Sequence, residues 1–149
     1  MATKSVGEQR RAREEIEEAL VEAAMRAREN AYAPYSEFRV GAALRCEDGT
    51  IFGGCNVENA SYGLCLCGER SALAAAVSAG YTRFTHCAVL TETSPPSPPC
   101  GICLQALVEF ADDLPILLAN TQGERIRVRL KDLLPFRFNR AHLLDKRKR

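Results

Sequence analysis

Four prolines stand in the six residues from Ser94 to Pro99, and they interrupt any regular structure at that point. Proline lacks a backbone N–H and has a fixed φ, so the segment can continue neither a helix nor a central strand. The apolar residues over 86–90 predict a buried strand before the segment, and the periodicity over 100–111 predicts a helix after it. The chain must therefore change from strand to helix here.

The rest of the chain shows a similar alternation of helix and strand patterns. Further helices are predicted over 7–30 and 67–79, and further strands over 38–46, 50–55, 115–119 and 125–130. Helices that separate strands favour an α/β fold of three layers, α/β/α, with a mixed five-stranded sheet. The first two strands form a hairpin through Asp48-Gly49, and the crossover helices are expected to make the later strands parallel.

The length and charge of the chain bound its function. The 149 residues are 46% hydrophobic, which fits one domain over 1–149, with 1–8 and 145–149 as expected flexible tails. The formal charge is only +1, so we expect neither a nucleic-acid nor a membrane partner. The polar segment Met1 to Arg13 lacks the apolar stretch of a secretory signal, and we expect a cytoplasmic protein.

The chain has seven cysteines, and three of them stand at predicted helix starts. In a reducing compartment an odd number of closely spaced cysteines indicates metal binding or catalysis before disulfides. Cys100 and Cys103 share one helical face and can bind the same metal ion. A third thiolate from Cys67 would leave one tetrahedral position of Zn²⁺ open, as catalytic zinc sites require.

The residues around these cysteines suggest how such a site would work. Glu69 can reach the same site as Cys67 only at the helix start, where unpaired N–H groups also favour thiolates. Three thiolates and one Zn²⁺ carry a formal charge of −1, so neighbouring donors should offset it. Arg70, three residues after Cys67, is a candidate donor to the ligand sulfurs. Gln105 is a candidate donor to the other pair of sulfurs, those of Cys100 and Cys103.

The pattern Cys67-x-Glu69 with Pro99-Cys100-x-x-Cys103 matches the zinc deaminase signature in its three-cysteine form. The chain around it resembles the small cytidine deaminases of pyrimidine salvage from about Arg26 to His142. The segments that carry this resemblance are Ala31-Tyr32-Ala33-Pro34-Tyr35-Ser36, Val40-Gly41-Ala42-Ala43-Leu44, Gly54-Cys55-Asn56-Val57-Glu58-Asn59-Ala60-Ser61-Tyr62-Gly63 and Leu133-Leu134-Pro135.

The resemblance implies a homotetramer with active sites shared between subunits, which hydrolyses cytidine and deoxycytidine to the uridine nucleosides and ammonia. It implies one Zn²⁺ per subunit, zinc-activated hydroxide attack at C4, and Glu69 as proton shuttle. The implied zinc ligands are Cys67, Cys100 and Cys103. The implied substrate contacts are Asn56 and Glu58 on the ribose, Phe38 and Phe138 on the base, Gly68 at the base edge, and Ala60 and Tyr62 across a subunit boundary.

Three positions depart from the family pattern, and two other functions stay open. Leu104 stands where arginine is common, Gly68 where alanine is usual, and Cys65 adds a fourth cysteine beside the motif. On spacing alone, four cysteines could also form a closed structural zinc site in a non-enzymatic module. The other alternative is a deaminase of a related nucleoside such as blasticidin S.

Overall fold

The computed structural model describes residues 5–144, and residues 1–4 and 145–149 of the expected tails lie outside this range. Helix α1 (Val6–Glu29) begins with a capping box. The Ser5 hydroxyl accepts from the N–H of Glu8 at 3.3 Å, and the Glu8 carboxylate accepts from the N–H of Ser5 at 2.6 Å. Residues 5–8, included in the expected N-terminal tail, therefore form the capped start of a helix.

Five strands form one mixed sheet, which confirms the predicted fold class. They are β1 (Gly41–Cys46), β2 (Ile51–Cys55), β3 (Phe84–Thr91), β4 (Pro115–Asn120) and β5 (Arg125–Arg129), in the order β2-β1-β3-β4-β5. The further helices are α2 (Gly68–Ser78), α3 (Gly101–Val108), α4 (Leu130–Leu133) and α5 (Arg140–Leu144), with a short 3₁₀ turn over Tyr62–Leu64. Within residues 5–144, none of these helices has the length and apolar character needed to cross a bilayer.

The prediction that the later strands are parallel is correct for β3 and β4 and wrong for β5. Strands β3 and β4 pair in parallel because helix α3 returns the chain to the same end of the sheet. Strand β5 instead pairs antiparallel with β4, because only a short turn through Gly123 joins the two strands. Gly123 has a φ of 91°, which glycine adopts without strain.

Apolar side chains alternate between the two faces of the sheet, and each face has its own core. On one face Ala43, Ala88, Leu90 and Leu117 pack against Leu20, Val21 and Ala24 of α1. On the other face Leu44, Val89, Ile116 and Leu118 pack against residues of α2 and α3, including Leu73, Leu104 and Leu107. The molecule is therefore a three-layer α/β/α structure.

Two glycines allow the helices to lie close against the sheet. A Cβ at Gly41 would stand 1.9 Å from the Ala24 carbonyl oxygen of α1. A Cβ at Gly54 would stand 2.2 Å from the backbone nitrogen of Ala72 in α2. Any side chain at either position would push the helix away from its strand. The close approach at Gly54 brings the start of α2 against the hairpin.

An ion pair ties α1 to the edge strand β5. The guanidinium of Arg127 donates from Nε and Nη2 to the two carboxylate oxygens of Glu17, each at 2.7 Å. Glu17 is only 5% exposed, and the hydrogen bonds from Arg127 hold the pKa of its carboxyl below the usual range. The pair therefore stabilises the packing of α1 on this part of the sheet.

Candidate active site

Three cysteine thiols converge at the starts of two helices. Cys67 is the N-cap of α2, Cys100 is the N-cap of α3, and Cys103 lies in the first turn of α3. The three Sγ atoms all lie within 4.8 Å of one another, and those of Cys67 and Cys100 are 3.8 Å apart. The two helix starts bring together the three cysteines that the sequence analysis selected.

The backbone around the two N-caps explains why the thiols point into one place. Cys67 and Cys100 are both in extended conformation, with ψ of 156° and 166°. Neither side chain caps its own helix, so each sulfur is available for another partner. Pro99 precedes Cys100 and favours an abrupt helix start. Both helices also present the positive ends of their dipoles to the sulfurs.

The electrostatics of the cluster favour a thiolate at Cys67. A hydrogen bond from the Cys103 thiol is the largest cause, and the pKa of Cys67 falls to about 5. The hydrogen bond to Cys67 in turn raises the pKa of Cys103, which holds its proton. The cluster thus carries negative charge at neutral pH, and a thiolate is the form of cysteine that binds a metal cation.

Arg70 lies beside this charge. Its Nη2 donates to the Cys67 sulfur at 3.8 Å and to the carbonyl oxygen of Cys65 at 3.0 Å. Its Nε is buried and has no hydrogen-bond partner among residues 5–144. The guanidinium is therefore positioned to offset thiolate charge, in the place that the sequence analysis expected.

The expectation for Gln105 is not met. Its side-chain amide donates from Nε2 to the carbonyl oxygen of Phe138 at 2.7 Å, and not to a cysteine sulfur. Gln105 is exposed on α3, whereas Cys103 is buried. Two residues apart on a helix, their side chains point in different directions. Gln105 instead connects the segment that follows α4 to helix α3.

The donor set fits a zinc ion. Three thiols within 4.8 Å supply the soft ligands that Zn²⁺ accepts, and the fourth cysteine of this region is otherwise engaged. The Cys65 sulfur accepts from the N–H of Asn59 at 3.3 Å and donates to the Asn59 carbonyl oxygen at 3.6 Å. Cys65 lies outside the cluster of three thiols, which favours a site with a vacant fourth ligand position over a closed four-cysteine one.

A buried carboxyl lies next to the thiols. Glu69 is only 4% exposed and is the second residue of α2. Burial is the main reason why the pKa of its carboxyl is raised, and the nearby Cys67 thiolate raises it further. A carboxyl with a raised pKa can both accept and donate a proton near neutral pH. Glu69 therefore has the properties of a general acid and base.

A cavity of about 290 Å³ opens onto two of the clustered thiols, those of Cys67 and Cys100, and onto the Glu69 carboxyl. It is of a size that takes a small organic molecule. Its lining includes six of the residues that the sequence analysis selected. They are Phe38, Asn56, Glu58, Cys67, Glu69 and Cys100.

The side chains of Asn56 and Glu58 form hydrogen bonds with the backbone of residues 35–40, part of which lines this cavity. The Asn56 amide bridges the segment before β1: its Oδ1 accepts from the N–H of Val40 at 2.9 Å, and its Nδ2 donates to the Phe38 carbonyl oxygen at 2.7 Å. The bridge occupies the Val40 N–H and the Phe38 carbonyl oxygen, and the Val40 carbonyl oxygen accepts from the backbone N–H of Asn56 at 3.2 Å. The strand predicted over 38–46 begins only at Gly41. One amide hydrogen of Asn56 stays available for another acceptor.

The Glu58 carboxylate accepts three hydrogen bonds. The donors are the Ser36 hydroxyl, the N–H of Tyr35 at 2.9 Å and the N–H of Ser36 at 3.1 Å. The Ser36 hydroxyl is the main reason why the pKa of this carboxyl is lowered. Glu58 is therefore a fixed, ionised acceptor at the cavity.

Other selected residues lie away from the cavity of the single chain. Phe138 and Tyr62 are 56% and 73% exposed, Ala60 is exposed, and none of the three lines the cavity. Gly68 is buried behind the cavity, where a Cβ would lie 3.3 Å from the Val40 carbonyl oxygen. Leu104 is buried in the core, so a charged side chain at that position would have to leave it.

The sequence analysis missed several residues of the cavity wall. Thr91, Ser97 and Pro98 line it beside Cys100. Thr91 is the last residue of β3, and ligands commonly bind at the carboxyl ends of strands in open α/β sheets. That rule, applied to the strand before the proline segment, could have identified Thr91.

Three thiols over a buried carboxyl, set in an α/β/α fold, define a zinc-dependent hydrolase of the deaminase class. Residues 14–118 match the family model described as the cytidine and deoxycytidylate deaminase zinc-binding region. The chain belongs to this family.

Similar proteins agree with this assignment. A cytidine deaminase of Sporosarcina psychrophila is 44% identical over 127 residues, which are 85% of this chain and 93% of that protein. The crystal structure of a cytidine deaminase from Burkholderia pseudomallei superposes with a TM-score of 0.78 at 53% identity, covering 81% of this chain and 98% of that one. A blasticidin-S deaminase of Bacillus cereus is 25% identical over 115 residues, covering 70% of this chain and 80% of that protein.

Proposed function

We propose that the protein hydrolyses cytidine and deoxycytidine to uridine and deoxyuridine, with release of ammonia. The observation that carries this proposal is the buried Glu69 carboxyl, which lines one cavity together with Cys67 and Cys100 of the three clustered thiols. A hydrolytic deaminase needs both an acidified water and a carboxyl that is not a metal ligand.

Cys67, Cys100 and Cys103 would hold the zinc ion, which when bound lowers the pKa of water so that it attacks near neutral pH. Glu69 takes one proton from the attacking water and donates it to ring N3, and it then takes the proton of the new C4 hydroxyl and delivers it to the departing amine. The overall reaction consumes one water and releases one ammonia. Burial raises the pKa of the Glu69 carboxyl, and the resulting greater basicity suits its role as proton acceptor.

The substrate contacts are proposed on the same cavity. Glu58, as an ionised acceptor, binds a ribose hydroxyl, and Asn56 donates its remaining amide hydrogen to another. Phe38 packs on the pyrimidine ring, and Gly68 contributes backbone contacts to the base edge. Deoxycytidine fits the same scheme, because the base chemistry does not involve the 2′-hydroxyl.

We also propose a homotetramer in which subunits complete one another's active sites. Phe138, Tyr62 and Ala60 are the residues that would cross the boundary, and each is exposed in the single chain. Phe136 and Ile102, at 97% and 65% exposure, support a large partner surface. Light scattering of the purified protein measures the assembly: a mass near 66 kDa, four times 16.4 kDa, is expected, and a monomer would contradict the proposal.

The proposed location is cytoplasmic. All seven cysteines are free thiols, and the proposed site requires three of them reduced. A reducing compartment maintains that state. Cell fractionation with activity measured in each fraction tests the location, and activity confined to an oxidising compartment would contradict it.

The function is tested by offering the purified protein cytidine, deoxycytidine and blasticidin S while zinc content is measured. We expect one uridine nucleoside and one ammonia for each cytidine or deoxycytidine consumed. Removal of zinc with a chelator should abolish turnover, and added zinc should restore it. Turnover of blasticidin S alone would identify a different substrate, and full zinc occupancy without any turnover would indicate a structural zinc module.

A further inference from the structure

Three hydroxyl side chains form a hydrogen-bonded chain on one wall of the cavity. The Oγ1 atoms of Thr91 and Thr93 are 3.1 Å apart, and Thr93 Oγ1 lies 2.7 Å from the Ser97 Oγ. The N–H of Ser97 also donates to Thr91 Oγ1 at 3.3 Å. Thr91 and Ser97, the two ends of this hydroxyl chain, both line the cavity next to Cys100.

The three hydroxyls have one hydrogen more than the contacts within the hydroxyl chain use. Three hydroxyls carry three hydrogens, and the two contacts between them use two. If donation runs from Thr91 through Thr93 to Ser97, the third hydrogen is on Ser97. If it runs the other way, the third hydrogen is on Thr91 and the Ser97 oxygen accepts. Within residues 5–144, no hydrogen bond from either terminal hydroxyl to a further acceptor is formed.

The backbone that carries the hydroxyl chain is held in place. The N–H of Thr121 donates to the Thr91 carbonyl oxygen at 3.1 Å, and the Asn120 amide donates to the Thr93 carbonyl oxygen at 3.0 Å. Thr91 is only 1% exposed. The hydroxyls can therefore rotate while their oxygens stay fixed. Such rotation is fast compared with enzymatic turnover.

The position of this wall selects one part of the substrate. Under the proposed function, C4 of the pyrimidine must lie at the thiol cluster. Ser97 and Pro98 lead through Pro99 directly into Cys100, so the wall adjoins that cluster. Deamination converts the C4 substituent from an amine, which donates, to a carbonyl, which accepts. A fixed donor or a fixed acceptor could serve only one of these forms.

We propose that the hydroxyl chain of Thr91, Thr93 and Ser97 contacts the C4 substituent, and that the direction of hydrogen-bond donation along this chain reverses during the reaction. The Ser97 hydroxyl accepts from the amine of cytidine in one direction of donation, and it donates to the carbonyl of uridine in the other. This inference rests on the proposed function and assigns the three residues a role in substrate and product binding.

The test compares two variants that remove the ends of the hydroxyl chain, Ser97→Ala and Thr91→Val. Three constants are measured: the KM of cytidine, the Ki of uridine and the Ki of the pyridin-2-one ribonucleoside, which has neither a C4 substituent nor the N3=C4 bond to which water adds. Thr85→Val is the matched control, because Thr85 lies on the same strand and its hydroxyl bonds to Arg45 outside the cavity. Zinc content and thermal unfolding establish that each variant is folded.

We expect each end variant to raise the KM of cytidine and the Ki of uridine about 3- to 10-fold, the range for one lost hydrogen bond. The Ki of the pyridin-2-one ribonucleoside should stay unchanged, as should all constants of Thr85→Val. Equal changes for all three ligands, or no change for any, would overturn the inference. Parent protein that does not turn over cytidine would instead reject the proposed function itself.

Discussion

The side-chain amide of Gln105 donates to the carbonyl oxygen of Phe138 at 2.7 Å, which connects the helix of two zinc-site cysteines to an exposed aromatic residue. Phe138 also stacks on His142, with ring centroids 5.4 Å apart. Both contacts hold the C-terminal segment in one place. If Phe138 serves a neighbouring subunit's cavity, Gln105 positions it from within its own subunit.

Replacing Gln105 with alanine should therefore weaken substrate binding without affecting the zinc site. The lost hydrogen bond frees the backbone at Phe138, and we expect the KM of cytidine to rise about 3- to 10-fold. The kcat and the zinc content should be unchanged. Thr85→Val is a matched control, since the Thr85 hydroxyl donates to the Arg45 carbonyl oxygen at 3.3 Å, away from the cavity and from the C-terminal segment. Loss of zinc from Gln105→Ala would contradict this account and restore Gln105 to the metal site.

Replacing Arg70 with alanine should shift the pH dependence of activity to higher pH. Arg70 donates to the Cys67 sulfur, and this hydrogen bond helps to lower the pKa of that thiol. Without it, the sulfurs donate more charge to the metal, and a higher pH is needed to ionise the attacking water. Turnover measured from pH 5 to 9 should show an acidic limb shifted to higher pH, with zinc largely retained. Arg83→Ala, a surface change, serves as control, and an unchanged profile for Arg70→Ala would refute the role.

The separation of Cys65 from the thiol cluster can be tested by comparing two serine variants. Cys65→Ser should keep both zinc and turnover, because the Cys65 thiol is bonded to Asn59 and not to the cluster. Cys100→Ser should lose most of its zinc and its activity, because it removes one of three ligand sulfurs. Zinc content by atomic absorption decides the matter. Equal zinc loss in both variants would indicate four ligands and a closed site.

The pair of Glu17 and Arg127 predicts a specific dependence of stability on pH. The folded-state pKa of Glu17 is lowered, so its contribution is present at neutral pH and is lost as pH falls from about 4.3 through the folded-state value. Glu17→Gln should lower the free energy of unfolding at pH 7 by about 1.5–3 kcal/mol, the range for hydrogen bonds to charged groups. The loss should shrink as the pH falls below about 4.3. Urea unfolding at several pH values measures both effects.

The control for this prediction is Glu14→Gln, because the ion pair of Glu14 with Arg10 is exposed and 3.7 Å long. It should change the free energy of unfolding by no more than about 0.5 kcal/mol. A Glu17→Gln variant as stable as the parent at pH 7 would show that the pair contributes nothing to the packing of α1.

The features that were predictable from the sequence are local ones. The spacing of Cys100 and Cys103 and the helix starts at 67 and 100 depend on neighbouring residues, and the structure has them where they were expected. The continuous apolar runs in β3 and β4 likewise follow from burial on both faces of the sheet. Such signals are present within a few residues of chain.

The features that were missed depend on contacts between distant segments. The partner of Gln105 is 33 residues away, and no local pattern indicates it. The apolar residues Phe38 and Val40 suit a strand, but the side chain of Asn56, which is distant in sequence, binds the Val40 N–H and the Phe38 carbonyl oxygen. The antiparallel pairing of β5 follows from the short turn after β4, which a closer reading of the loop length could have predicted.

The central claim is that Glu69 moves protons at a zinc site built from three cysteines. The most direct measurement is the fall in ultraviolet absorbance of cytidine with the parent protein and with Glu69→Gln, with zinc quantified in both. We predict rapid conversion to uridine by the parent and a rate about 10²- to 10⁴-fold lower for the variant, at equal zinc content. Comparable turnover by the two proteins, with zinc bound in each, would contradict the account.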